Sequence, residues 1–176
     1  MKDFFKLAKS RQSCRSFSDA AVDQESLKKI VDTALLSPSA CNGQPWRFHV
    51  VIDPTKKSQL AKSMQAFTEK AGAFIVIEEQ KPVTLVKIAN TLKHQDLTSV
   101  DIGIATAHIV FAAEALGLAT CIIGWFKEGL IKETLAIADK RRVRIIVAIG
   151  HAEDATIRPK KRKPLKEAMR FLDEQS

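Results

Sequence analysis

Two basic stretches, far apart in the chain, contain the residue types that hold a phosphate group. Near the start, SRQSCRSF (10–17) sets Arg11 and Arg15 on either side of Ser13. Near the end, RPKKRKP (158–164) places five cations in seven residues. A phosphate monoester carries close to two negative charges and several strong acceptor oxygens. Arginine meets two such oxygens with its planar fork, and lysine adds a point charge. A site built from Arg11, Ser13, Lys160 and Arg162 would suit one such group, and it would draw the two ends of the chain together. Neither GxGxxG nor GxxxxGK[ST] occurs, so side chains must do what backbone amides do in glycine-rich cradles. On charge alone the terminal run also reads as a solvated tail, a nucleic-acid patch or a nuclear signal.

The remaining composition narrows the chemistry. The chain has 176 residues, 45% of them apolar, and a net charge of +8. That length suits one domain with a sizeable core. The charge favours anionic partners without choosing among them. Cys14, Cys41 and Cys121 form no CxxC pair, and His49, His94, His108 and His151 form no HExxH. These residues predict a reducing compartment, no metal, and cysteines that act as small buried apolar residues. Cys41 and His49 make a poor nucleophilic pair, because a reactive cysteine wants a nearby cation or helix start and the sequence shows neither beside Cys41. The aromatic residues do not interleave with the basic ones as a single-strand nucleic-acid platform requires. The N-terminus is too polar for a signal peptide. The most apolar segment, VDIGIATAHIVFAAEALGL (100–118), carries Asp101, His108 and Glu114, and is too short and polar to span a membrane. The expectation is a cytoplasmic protein with no membrane partner.

These residues must be positioned by helices and strands in alternation. A short helix is predicted over 2–10. Leu27, Ile30, Val31, Ala34 and Leu35 share one helical face, with Asp23 as N-cap and Pro38 as the stop. Strands are predicted over 46–53, 73–79, 119–126 and 142–150. Helices are predicted from Pro54 to about Lys70, over 99–116 with Gly117 as C-terminal cap, and over 127–138. The stretch 80–98 reads either as a helix at 83–93 or as a loop. The long 99–116 helix is apolar on nearly every face and should be buried on most of them. SPSACNGQPWRF (37–48) begins as a loop, since it is rich in Pro, Ser, Asn and Gly. Periodicity alone points to three layers around a doubly wound parallel sheet.

Four segments occur in one order and spacing: RQSCRSF, SPSACNGQPWRF, VDIGIATAHIVFAAEALGL and VAIGHAED followed by RPKKRKP. Together they resemble the FMN-dependent nitroreductase family, over nearly the whole chain. The resemblance implies a different fold: α+β, three layers, a mixed and mostly antiparallel sheet flanked by helices. It implies one FMN-binding domain over 1–176 in an intertwined homodimer, with FMN at the interface and both subunits building each site. The long apolar helix would lie in the dimer core. The implied activity is ping-pong hydride transfer from NADH or NADPH to the flavin, and on to a nitroaromatic, quinone or similar small-molecule acceptor.

The same resemblance implies roles for particular residues. Arg11 and Ser13, with Gln12 between them, match the segment that holds the FMN phosphate and ribityl end. Arg15 matches a basic position near the flavin, where a cation would stabilise the charge of the reduced ring. Pro38, Ser39, Ala40 and Asn42 match the loop that packs on the flavin from the partner subunit. Ile123 and Gly124 match a strand end whose backbone faces the ring, and a glycine there allows close approach to flavin N5. Lys160 and Arg162 match the C-terminal phosphate pair. Gln65 and Lys70 are loose candidates for the flavin pyrimidine, and Lys93 or His94 for a position over the ring. Trp125 is the best-placed aromatic, although both it and Trp46 read more readily as core. No catalytic side chain is implied, since the flavin carries the chemistry. A basic nucleotide or nucleic-acid binder is the competing class. Within the family, a dehalogenase-like or flavin-fragmenting specialisation is the other alternative.

Overall fold

In the computed structural model, which describes residues 3–172, β1 (Trp46–Val51), β2 (Ala73–Glu79), β3 (Ala119–Ile123) and β4 (Val143–Gly150) form one sheet. Its strand order is β1-β2-β4-β3, and every neighbouring pair is antiparallel. The doubly wound parallel sheet expected from periodicity is therefore not formed. Alternation of strands and helices sets the layers but does not set strand direction. A single parallel bridge, Ser13 to Thr120, lays the N-terminal segment beside β3.

The strands alternate between two apolar layers, as a two-residue period requires. Ala73, Ile75 and Ile77 of β2 pack with Val147 and Ile149 of β4 against α2 (Gln24–Leu35) and α5 (Leu97–Ala115). Phe74, Val76, Ile146 and Ala148 face the other way. They meet Leu60 of α3 (Pro54–Ala61), Ile131 of α6 (Glu128–Leu135), and Cys121 and Ile123 of β3. The two remaining α-helices ahead of the C-terminal arm are α1 (Phe4–Ser10) and α4 (Thr84–Lys93). Aspartates start four of these helices: Asp3, Asp23, Asp53 and Asp96 each accept a first-turn backbone N–H. Such a cap stabilises a helix by about 1 kcal/mol. The Ser99 hydroxyl holds the Asp96 carboxyl below its ordinary value against the effect of burial, helped by the Ser99 amide and by Arg144 and Arg142.

Several boundaries differ from expectation. Residue 2 of the predicted first helix lies outside the described residues, and Asp3 is its cap. The helix from Pro54 ends at Ala61 and not near Lys70, because Ser63 turns its hydroxyl back onto the Leu60 carbonyl at 2.6 Å. A 3-10 turn, Ala66–Thr68, follows it. The third strand ends at Ile123, just before Gly124. The ambiguous stretch 80–98 contains a helix over Thr84–Lys93, and His94 closes it in the left-handed conformation. The long helix α5 is less enclosed than its composition predicts. Its Asp101, Ile102, Ala105, Ile109 and Ala113 are buried, while Val100 and Gly103 are exposed and Ala107 and Phe111 only half-buried. Gly117, with φ +76, caps it as expected.

Candidate functional site

The parallel bridge decides where Arg11 goes. Cys14 donates its backbone N–H to Thr120 O at 2.9 Å, which fixes residues 11–14 alongside β3. Arg11 then reaches Thr120 Oγ1 with Nη2 at 3.4 Å, a long contact. Its Nε is buried and has no hydrogen-bond partner among the described residues. Burial pulls the Arg11 guanidinium below its ordinary pKa, with Cys121 and Glu114 acting in the opposite direction. A cation that the chain itself solvates so poorly is primed for an anion from outside.

The basic arm lies on this strip. Lys160 Nζ donates to the Arg11 carbonyl. Arg158 donates to Ser13 O through Nη2 at 2.6 Å and to Gln12 Oε1 through both its backbone N–H and Nε at 3.1 Å. Gln12 Nε2 returns a hydrogen bond to Thr156 O at 2.8 Å. The arm there is neither helix nor sheet. Arg158 and Lys160 both reach residues 11–13. Arg162 itself donates to the neighbouring Lys161 carbonyl at 2.7 Å. Among the described residues none of Arg11, Arg15, Arg158, Lys160 and Arg162 lies within ion-pair distance of a carboxylate. The arm's cations are spent on neutral carbonyls, which leaves their charge uncompensated.

A second group of residues gathers at the end of β3. Gly124 is exposed, and a Cβ built on it would meet nothing within 4 Å. Trp125 is 84% exposed, so it is not a core residue, whereas Trp46 is buried. Gln65 donates to the Trp125 carbonyl at 3.1 Å, which brings it to this strand end. Lys70 instead pairs with Asp19 at 3.8 Å. Arg15 is exposed and sits 6.0 Å from the centre of the Phe67 ring, two residues on from Gln65.

The loop at 38–44 is tied to α5. Asp101 Oδ1 accepts the Ala40 N–H at 3.0 Å, and Ser39 Oγ accepts that of Gln44, also at 3.0 Å. Cys41, Asn42 and Gln44 all have positive φ, a conformation that costs a non-glycine residue free energy. Pro38, Cys41 and Asn42 are exposed, so Cys41 is not the small buried residue its type predicts. Cys121 is buried and Cys14 half-buried. His49 is engaged elsewhere, with Glu78 at 2.7 Å. The exposed His94 has no described contact with the strip, and the Lys93 side chain lies outside what is described.

Sequence reasoning missed Arg158, Asp101 and Thr120. Arg158 had a signal, its place in the basic run RPKKRKP. Asp101 had a weaker one, a carboxylate within an otherwise apolar helix. Thr120 had none.

Comparison with known proteins gives a consistent picture. The model of a family described as the Nitroreductase family matches residues 8–151. A putative NADH dehydrogenase/NAD(P)H nitroreductase of Archaeoglobus fulgidus is 30% identical over 164 residues, covering 88% of each chain. An oxygen-insensitive NADPH nitroreductase of Helicobacter acinonychis is 29% identical over 202 residues, covering 94% of this chain and 95% of its own. The structure of an FMN-dependent nitroreductase from Clostridium difficile R20291 superposes with a TM-score of 0.76 at 27% identity, covering 96% of this chain and 99% of that one.

Proposed function

The chain belongs to the nitroreductase family, and from that premise we propose that it binds FMN through the strip 11–15 and the basic arm laid across it. It is an NAD(P)H-dependent flavin oxidoreductase. Bound FMN would supply the redox chemistry, accepting a hydride from NADH or NADPH and passing electrons to a nitroaromatic, quinone or similar acceptor.

The residues supply binding and charge. Arg11, Ser13, Lys160 and Arg162 take the phosphate, with Gln12 and Arg158 locking arm to strip. Arg15 stands by the ring as a counter-charge for its reduced form. Ile123 and Gly124 present backbone toward the ring, and the open space at Gly124 fits that approach. Pro38, Ser39, Ala40 and Asn42 complete the site from a second copy of the chain, as a homodimer in the cytoplasm. The stretch of α5 that this chain leaves open at Val100 and Gly103, with Ala107 half-buried, together with the exposed Leu35 and Leu36, supports that arrangement. The whole chain acts as one domain.

The observation that carries this reading is the set of cations converging from both ends of the chain with no carboxylate partner among the described residues, Arg11 holding a buried Nε that has no hydrogen-bond partner there. The test compares FMN with riboflavin, which lacks the phosphate. Each charged hydrogen bond contributes about 1.5–3 kcal/mol, so FMN should bind at least about tenfold more tightly. Equal affinities would remove the phosphate from the account.

A further inference from the structure

Cys14 and Cys121 are 107 positions apart in sequence and adjacent in the fold. Ser13 and Thr120 are the bridged pair, held by Cys14 N–H on Thr120 O at 2.9 Å, so Cys14 and Cys121 are the next pair along a parallel alignment. Neighbours on parallel strands point to the same face and lie about 4.8 Å apart. That falls within the Cα separation of about 4.4–6.8 Å that a disulfide accepts. Packing gives independent support. Cys121 is part of the apolar cluster on the α3–α6 face of the sheet, and Cys14 packs against that same cluster. Arg11, by contrast, touches Thr120, whose side chain alternates to the opposite face.

We propose that Cys14 and Cys121 form a redox-active dithiol that hydrogen peroxide converts to an intrachain disulfide. Cys14 is the half-exposed member and meets the oxidant first. Its thiolate attacks one peroxide oxygen; the O–O bond breaks, hydroxide leaves and is protonated to water, and Cys14 becomes a sulfenic acid. The Cys121 sulfur then attacks the Cys14 sulfur; the S–O bond breaks and a second water departs with the remaining proton. The two thiols lose two electrons and two protons, and one peroxide becomes two waters. Burial pushes the Cys121 thiol up, against the pull of Arg15 and Arg11, which suits it to the resolving role and not to first attack. In the reduced protein Cys14 Sγ points to Ser16 O at 3.1 Å, so closure needs a turn about its Cα–Cβ bond. The disulfide would staple the strip carrying Arg11 and Arg15 to β3.

The test uses the full chain with Cys41→Ser, which removes the exposed third thiol. After one equivalent of peroxide, the unreduced protein should lose the mass of two hydrogen atoms and both titratable thiols. Peptide mapping should recover the segments around residues 14 and 121 as one linked species, and dithiothreitol should restore both thiols. Adding Cys14→Ser, a half-buried position that tolerates the change, should abolish the link. The same treatment in urea should link the pair more slowly, because adjacency comes from the fold. Stable oxygen adducts on Cys14 with Cys121 still free, or linkage only between chains, would overturn the proposal. Neither outcome depends on whether flavin binds.

Discussion

Replacing Arg11 by methionine separates a residue that holds the fold from one that holds a ligand. In the chain alone, the Arg11 guanidinium has one long hydrogen bond, 3.4 Å to Thr120 Oγ1, and a buried Nε with no described partner. A buried donor left unsatisfied costs about 1–3 kcal/mol. Methionine keeps the apolar stem and removes that cost, while forfeiting the attraction of Glu114. The two effects oppose each other, so urea unfolding of the flavin-free protein should change by no more than about 1 kcal/mol. Against FMN the balance differs, because a charged hydrogen bond to phosphate contributes about 1.5–3 kcal/mol. Its loss weakens binding roughly ten- to a hundredfold. Fluorescence titration should show this fall for FMN and almost none for riboflavin. An FMN affinity within about threefold of the parent, or a flavin-free protein destabilised by more than about 3 kcal/mol, would refute the reasoning.

Three further outcomes are expected. Gly124→Ala should leave thermal stability unchanged, since its Cβ meets nothing within 4 Å and its φ is ordinary, yet it should weaken FMN binding through the lost approach to the ring. The Cβ of Gly103→Glu likewise meets nothing within 4 Å in its own chain, but the substitution puts a charge on the open stripe of α5, so light scattering should report monomers and the flavin should be lost with the dimer. Burial alone would raise the Glu78 carboxyl, but hydrogen bonds from His49 and Gln80 and the charges of His49 and Arg47 outweigh it and hold it below its ordinary value. A depressed carboxyl stabilises the fold above its unfolded value and loses that contribution as pH falls through the native one. Acid titration of Glu78→Gln should therefore show reduced stability near neutrality and convergence with the parent at low pH.

What could be read from sequence was what is local. The α2 face and its Asp23 cap are legible because helix spacing and a capping aspartate act within a few residues. The long-range pairings were not legible. Nothing within RQSCRSF says that Ser13 lies beside Thr120, more than a hundred residues on, and so nothing warned that Cys14 and Cys121 are neighbours. Strand direction was equally hidden, since β2 is apolar on both faces whether its neighbours run parallel or antiparallel. Resemblance to a family supplied that correction where periodicity failed. Trp125 and Cys41 were misjudged as core types because burial belongs to the position, and both are exposed. Phosphate chemistry offered the junction of the basic arm with the N-terminal strip as one option and the family resemblance made it the preferred one, although Arg158 and not Arg162 is the arginine seen clasping it.

The most direct measurement is a visible spectrum of the purified protein, taken with added FMN and gel filtration to remove what is unbound, then with NADH or NADPH under nitrogen. The account predicts a yellow protein whose flavin band stays with the protein peak and bleaches on reduction. A colourless protein that releases all added FMN, or one whose retained flavin neither nicotinamide reduces, would contradict it.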